Sequence, residues 1–205
     1  TMTVAQHNGA GTVTAAGTAD QVTFSAAGGN TAINAEAAID TYVLAGAAAA
    51  TNTINVNGSN LDVAITGADS DDTVNVAGLV VTGTYALGLG TDVLTVSDGA
   101  NISGVNTGGD TTAETLVLAT ERVGFGDNNT LGSRVTMTVA QLNAFTTVTA
   151  LGTADQVTFS AAGGGTAINA EAAIDTYVLA GAANATNTIN VNGSNLDVAV
   201  TGADS

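Results

Sequence analysis

The chain has 205 residues, with 18 Asp and Glu against two Arg and no Lys, for a formal net charge of −16. So acidic a surface repels nucleic-acid phosphate and anionic lipid and sets both aside as partners. The absence of Cys excludes disulfides and thiolate metal sites, and no apolar run approaches the roughly 20 residues that a membrane-spanning helix needs. Residues 1–20 also lack the basic-then-apolar pattern of a secretory leader.

Taken in chain order, short alternating runs recur about every ten residues: 21–25 (QVTFS), 40–44 (DTYVL), 52–56 (NTINV), 61–66 (LDVAIT) and 72–76 (DTVNV). They continue with 82–87 (TGTYAL), 92–96 (DVLTV), 114–118 (ETLVL) and 134–139 (RVTMTV). Apolar residues alternating with Thr, Asn or Ser predict strands. Next, Thr138 and Gln141 have capping-box spacing, with Met137 and Leu142 at staple positions, which predicts a one- or two-turn helix over 139–145. At this point the sequence starts again. Residues 136–205 repeat residues 1–70 without a gap, and the copies differ at only eight positions: 7, 9, 10, 11, 16, 30, 49 and 65.

Five of those eight differences fall between positions 7 and 16, where Leu142, Ala144, Phe145, Thr146 and Leu151 are matched by His7, Gly9, Ala10, Gly11 and Ala16. The loss of apolar bulk predicts a looser or shifted helix in the first copy and a solvated or weakly packed His7. The repeat divides the chain into a first unit, 1–135, and the first half of a second, 136–205, so that both ends are expected to fall within a unit. Self-similarity on this scale marks an array of stacked pieces.

Hairpins need φ > 0 pairs such as Asn-Gly. Asn8-Gly9, Asn57-Gly58 and Asn192-Gly193 are too few to join so many strands antiparallel. The reading is therefore an all-β fold, a parallel β-solenoid built from tandem units of about 135 residues, with short helical turns. Two or three strands would fill each coil of about 20–30 residues, stacked at about 4.8 Å. The absence of Pro fits, since Pro removes ladder donors. With four Phe, three Tyr and no Trp, the interior should be thin and filled by Val, Ile, Ala and Thr. The rival is a string of immunoglobulin-like sandwiches.

Two turns carry candidate chemistry. Leu87-Gly88-Leu89-Gly90-Thr91-Asp92-Val93-Leu94-Thr95 resembles the calcium-binding nonapeptide of RTX proteins, G-G-x-G-x-D-x-U-x, with Leu87 at the first Gly. The resemblance implies that Gly88 and Gly90 turn carbonyls toward an ion and that Asp92 supplies a carboxylate. The alternative for Asp92 is a turn-forming Asp. A second match covers 67–74 (GADSDDTV), where Asp69, Asp71 and Asp72 form either a cation site or a plain acidic turn. Asp20, Asp40, Asp155 and Asp175 read as strand-initiating residues that satisfy turn amides. Asn52, Asn55, Asn57 and Asn60 could stack as amide ladders.

The whole pattern is similar to the long β-strand repeat regions of secreted bacterial surface proteins, including RTX-type giant adhesins and calcium-dependent S-layer proteins. That resemblance implies an extracellular structural protein at the cell surface or in biofilm matrix, stabilised by calcium and assembled through identical units or chains. The alternative role is the repetitive stalk of an adhesin, with any cell-surface glycan bound elsewhere in the parent protein. No enzyme is expected. The one His is not repeated in the second copy, so no triad or His-based metal site recurs.

Overall fold

The structure, a computed structural model, describes residues 1–11, 13–57, 61–77, 80–106, 115–118, 122–123, 130–131, 134–150, 154–181, 185–191 and 198–202. The chain winds as a two-sided β-solenoid, each coil laying one strand on each of two faces. The first face is a ten-stranded sheet. It runs through Gln21–Thr23, Thr41–Val43, Ala64–Thr66, Val80–Ala86, Asn101–Asn106, Arg134–Met137, Gln156–Phe159, Thr176–Val178 and Ala199–Thr201, with Leu61–Asp62 also pairing Val80–Ala86. The second face is six-stranded: Ile33–Asn34, Thr51–Asn57, Asp71–Ala77, Val93–Val96, Thr115–Leu118 and Thr147–Ala150. Ile168–Asn169 and Ile189–Asn190 pair in parallel in the same way as their counterparts Ile33–Asn34 and the centre of Thr51–Asn57.

Every pairing within these sheets is parallel. Register partners lie 20 residues apart at Gln21↔Thr41, Thr53↔Thr73 and Thr73↔Val93, and 23 apart at Thr41↔Ala64 and Thr176↔Ala199. One coil is longer, with partners 35 residues apart at Asn101↔Thr136 and 32 apart at Thr115↔Thr147. Its excess includes the one antiparallel pair among the described residues, Arg122–Val123 with Thr130–Leu131. Arg134 closes this coil. Its backbone N–H, Nε and guanidinium NH2 donate to the Asp98 carboxylate at 2.8, 3.0 and 2.9 Å.

The alternation places one side chain in two inside. Ile33, Ile54, Val74 and Leu94 stack as one buried column, and Val22, Tyr42, Ile65 and Tyr85 face them as another. Val and Ile supply most of the buried core, as expected, with aromatic rings beside them. Phe24, Phe145, Phe159 and all three Tyr are buried. Parallel register explains this: a ring in one coil lies flat over the ring of the next. Phe24 stacks on Tyr42 at 6.2 Å and Phe159 on Tyr177 at 6.0 Å. Outside, an amide ladder forms through Asn55 alone of the four expected residues: Asn55 Nδ2 donates to Asn34 Oδ1 at 3.0 Å and Asn75 Nδ2 to Asn55 Oδ1 at 2.9 Å. Asn52 instead turns inward and is buried. Asn57 is exposed, and Asn60 lies outside the described residues.

Short helices, Val4–Asn8 and Val139–Ala144, turn the chain between the faces. Both carry the capping box, Thr3 with Gln6 and Thr138 with Gln141. The first-copy helix is not shifted and is only one residue shorter. The expectation that His7 is solvated is overturned: it is 3 % exposed. Its Nε2 lies 3.3 Å from Tyr42 Oη, and its ring packs edge-on against Phe24 and Tyr42. The aromatic column supplies both an apolar wall and a hydroxyl partner, which sequence spacing did not reveal. Asn8-Gly9 ends this helix and is not a hairpin turn. Gly58 and Gly193, of the other Asn-Gly pairs, lie outside the described residues.

Candidate functional site: a buried polar spine at one bend

The six sequence candidates occupy two bends on consecutive coils, both leading from the first face to the second. The register Thr73↔Val93 stacks these bends 20 residues apart. Asp72 therefore lies over Asp92, and the 68–71 turn over the 88–91 turn. Gly88 and Gly90 have φ of 93° and 153°, a backbone that disfavours any side chain. A Cβ at either would also collide with the coil before, at the Ala68 or Ser70 carbonyl.

The carboxylates divide by burial. Asp69 and Asp71 are exposed, whereas Asp72 is 0 % and Asp92 1 % exposed. Asp71 Oδ1 accepts from the Thr91 N–H of the next coil at 2.8 Å. Asp92 Oδ1 accepts from the Asp72 N–H of the coil before at 2.9 Å. Asp72 Oδ1 accepts from Asn52 Nδ2 at 2.8 Å and Ser70 Oγ at 3.0 Å. Asn52 Oδ1 in turn accepts from Gly28 N–H at 2.9 Å, while its Nδ2 also reaches the Ala45 carbonyl at 3.0 Å. A single polar spine thus joins four successive coils through Gly28, Asn52, Asp72 and Asp92. Asn52 was singled out in the sequence only as a ladder residue. Its place in this spine was legible in retrospect from the 20-residue spacing to Asp72 and Asp92.

The same device serves the opposite bend. Asp40 Oδ2 accepts from Asp20 N–H at 2.7 Å, and Asp175 Oδ2 from Asp155 N–H at 2.8 Å. All four Asp stand just before strands, as their positions suggested, and Asp20, Asp40 and Asp175 accept from backbone amides.

Among the described residues, no three Asp, Glu or His side chains group to hold an ion. A calcium cage requires six to eight oxygens; Asp71, Asp72 and Asp92 each accept a hydrogen bond through Oδ1, while the buried Asp72 Oδ2 has no hydrogen-bond partner among the described residues. Among the described residues no helix is long and apolar enough to cross a membrane. Comparison with protein-family models, with curated proteins and with solved structures finds no match.

Burial, with the Asp92 and Asp71 charges adding to it, pushes the Asp72 carboxyl up to about 6, against the opposing pull of the Asn52 and Ser70 hydrogen bonds. A folded-state value above the unfolded one means that the native chain binds the proton more tightly. Stability contributed by Asp72 therefore rises as pH falls through about 6 and is complete below the unfolded value near 4. Melting midpoints should increase between pH 7 and 5, and Asp72→Asn should remove most of that increase. A D72N profile parallel to the parent would assign the slope to other carboxylates. A second expectation concerns calcium. Full occupancy at 100 Kd adds about 2.7 kcal/mol, worth roughly 5–11 °C in a chain of this size. Millimolar calcium followed by chelator is expected to move the midpoint by less than about 2 °C; a reversible shift in the larger range would place an ion in these bends.

Proposed function

We propose that this chain is a stretch of a secreted structural protein whose units stack coaxially into a filament, surface layer or matrix. One observation carries the reading: identical peptides adopt different structures according to whether a coil lies beside them. TNTINVN is a seven-residue strand at Thr51–Asn57, where Asp71–Ala77 pairs with it along its full length. In the second copy of the heptapeptide, residues 186–191 keep only a two-residue strand, Ile189–Asn190. Likewise TVTA is a strand at Thr147–Ala150 beside Thr115–Leu118, whereas Val13, Thr14 and Ala15 form none. Stacking is thus what completes each coil, as expected for an array held by nearest-neighbour interfaces.

The apolar stripe follows the same rule. Ile65 is 0 % exposed under the next coil, while its counterpart Val200 is 47 % exposed; Val56 is 0 % and Val191 52 %. Such edges invite pairing. In this role the acidic surface keeps neighbouring arrays soluble and separated, and the extracellular setting belongs to the same proposal.

Between Met2 and its counterpart Met137, the first face takes six register steps: Met2↔Phe24, Val22↔Tyr42, Tyr42↔Ile65, Ile65↔Tyr85, Thr82↔Gly104 and Asn101↔Thr136. At about 4.8 Å a step, each unit would add roughly 29 Å. Chains of two, three and four tandem units, imaged by electron microscopy, should be straight rods of constant width that lengthen by about that amount per unit. Flexible strings of separate particles would contradict stacking.

A further inference from the structure

The two copies of the N-terminal coil differ in what covers them. In the second copy the strand Arg134–Met137 lies against Asn101–Asn106, and Gln141 is 7 % exposed. Gln141 Oε1 caps its own helix by accepting from Thr138 N–H at 2.7 Å. Its Nε2 reaches across to the previous coil and donates to the Ile102 and Val105 carbonyls at 2.7 and 2.6 Å. One side chain therefore caps a helix and clamps the neighbouring coil.

In the first copy the same cap is present, with Gln6 Oε1 accepting from Thr3 N–H at 2.8 Å. Gln6 is nevertheless exposed, and among the described residues its Nε2 has no partner. Met2 is half-buried where Met137 is 0 % exposed, and Asp20 is half-buried where Asp155 is 0 % exposed. An open groove, lined by Met2, Gln6, His7, Ala10, Val13 and Val22 among others, runs along this face. None of these residues is acidic. The coil that covers the second copy is uncharged over Asn101–Asn106 (NISGVN) and Thr115–Leu118 (TLVL). In a chain of charge −16, a groove and two covering strands that carry no carboxylate meet with little repulsion, and Asp20 is the carboxylate that docking would bury further, as Asp155 is buried in the second copy.

We infer that this groove is a docking surface for another copy of the unit, which would place its strands 101–106 and 115–118 against this N-terminal coil, and that Gln6 is the clamp. The inference rests on the stacking proposed above and adds the partner segment and the residue that fixes its register. Gln6 would take the carbonyls at positions 102 and 105 of the incoming copy. Strand pairing by positions 115–118 would then order Val13, Thr14 and Ala15. Ala10, at the place of the buried Phe145, leaves this junction less filled than the one inside the chain. The amide clamp thereby carries a larger share of its specificity.

The test is a chain carrying a second copy of residues 71–135 fused ahead of Thr1, compared with the chain as it stands by amide hydrogen exchange. The fusion is expected to slow exchange at residues 13–15 by at least about tenfold. Gln6→Glu keeps an acceptor for the Thr3 cap but has no N–H to donate, so in the fused chain it should reverse most of that protection. In the unfused chain, Q6E retains the cap and sets the baseline. Gln141→Glu in the same chain is the positive control, and should expose residues 147–150 to faster exchange. Protection at 13–15 that is lost with Q6E supports the docking. Protection that Q6E leaves intact overturns the clamp while stacking survives. No protection in the fused chain, with or without the substitution, defeats the stacking itself.

Discussion

A parallel coil has two strand edges, and each edge carries backbone N–H and C=O groups that only another coil can satisfy in register. That constraint governs the whole structure. It explains why the residues between Thr51 and Asn57 form a full strand while the same residues at 186–191 do so only in part. Propensity is identical in the two places, so the difference lies in the neighbour. The apolar effect acts along the same direction, since the coil that completes the ladder also covers Ile65 and Val56. Backbone pairing and burial are therefore gained together, one coil at a time, as in a one-dimensional array.

Electrostatics is arranged around this axis. Eighteen carboxylates cannot all face outward on stacking surfaces. Among the described residues several sit at bends and cap backbone amides of the adjoining coil: Asp40 on Asp20, Asp92 on Asp72, Asp175 on Asp155. Charge-assisted bonds of this kind are stronger than neutral ones, and they act between coils, so they set register where Gly-rich turns alone would leave it loose. The cost is concentrated at Asp72, which is fully enclosed and whose carboxyl is pushed up to about 6. Asn52 and Ser70 compensate in part by donating to it.

Much of the fold was legible in the residues. Alternation located the strands at 21–23, 41–43, 71–77 and 93–96, and the scarcity of hairpin turns pointed to parallel coils. The strands it missed include Ile33–Asn34, too short for alternation to register, Asn101–Asn106, interrupted by Gly104, and Thr147–Ala150, whose sequence is a strand only in company. The Asp92 and 69–72 motifs were found, but spacing along one coil could not tell whether a carboxylate faces an ion or the amide of the next coil. That depends on the 20-residue offset between bends, a property of the winding. His7 departs from expectation for a related reason: the copies differ there, and a polar ring in place of Leu does not by itself mean lost packing. In the structure the imidazole is buried like Leu142 in the other copy and packs against Tyr42 and Phe24.

Amide hydrogen exchange at the repeated heptapeptide addresses the central claim most directly, because sequence is held constant within one molecule. If an adjoining coil is what makes each strand, the amides of residues 51–57 should be protected well beyond those of 186–191, by roughly tenfold or more. Equal protection of the two copies would mean that each strand forms by itself, and coil-on-coil pairing would lose its place as the organising interaction.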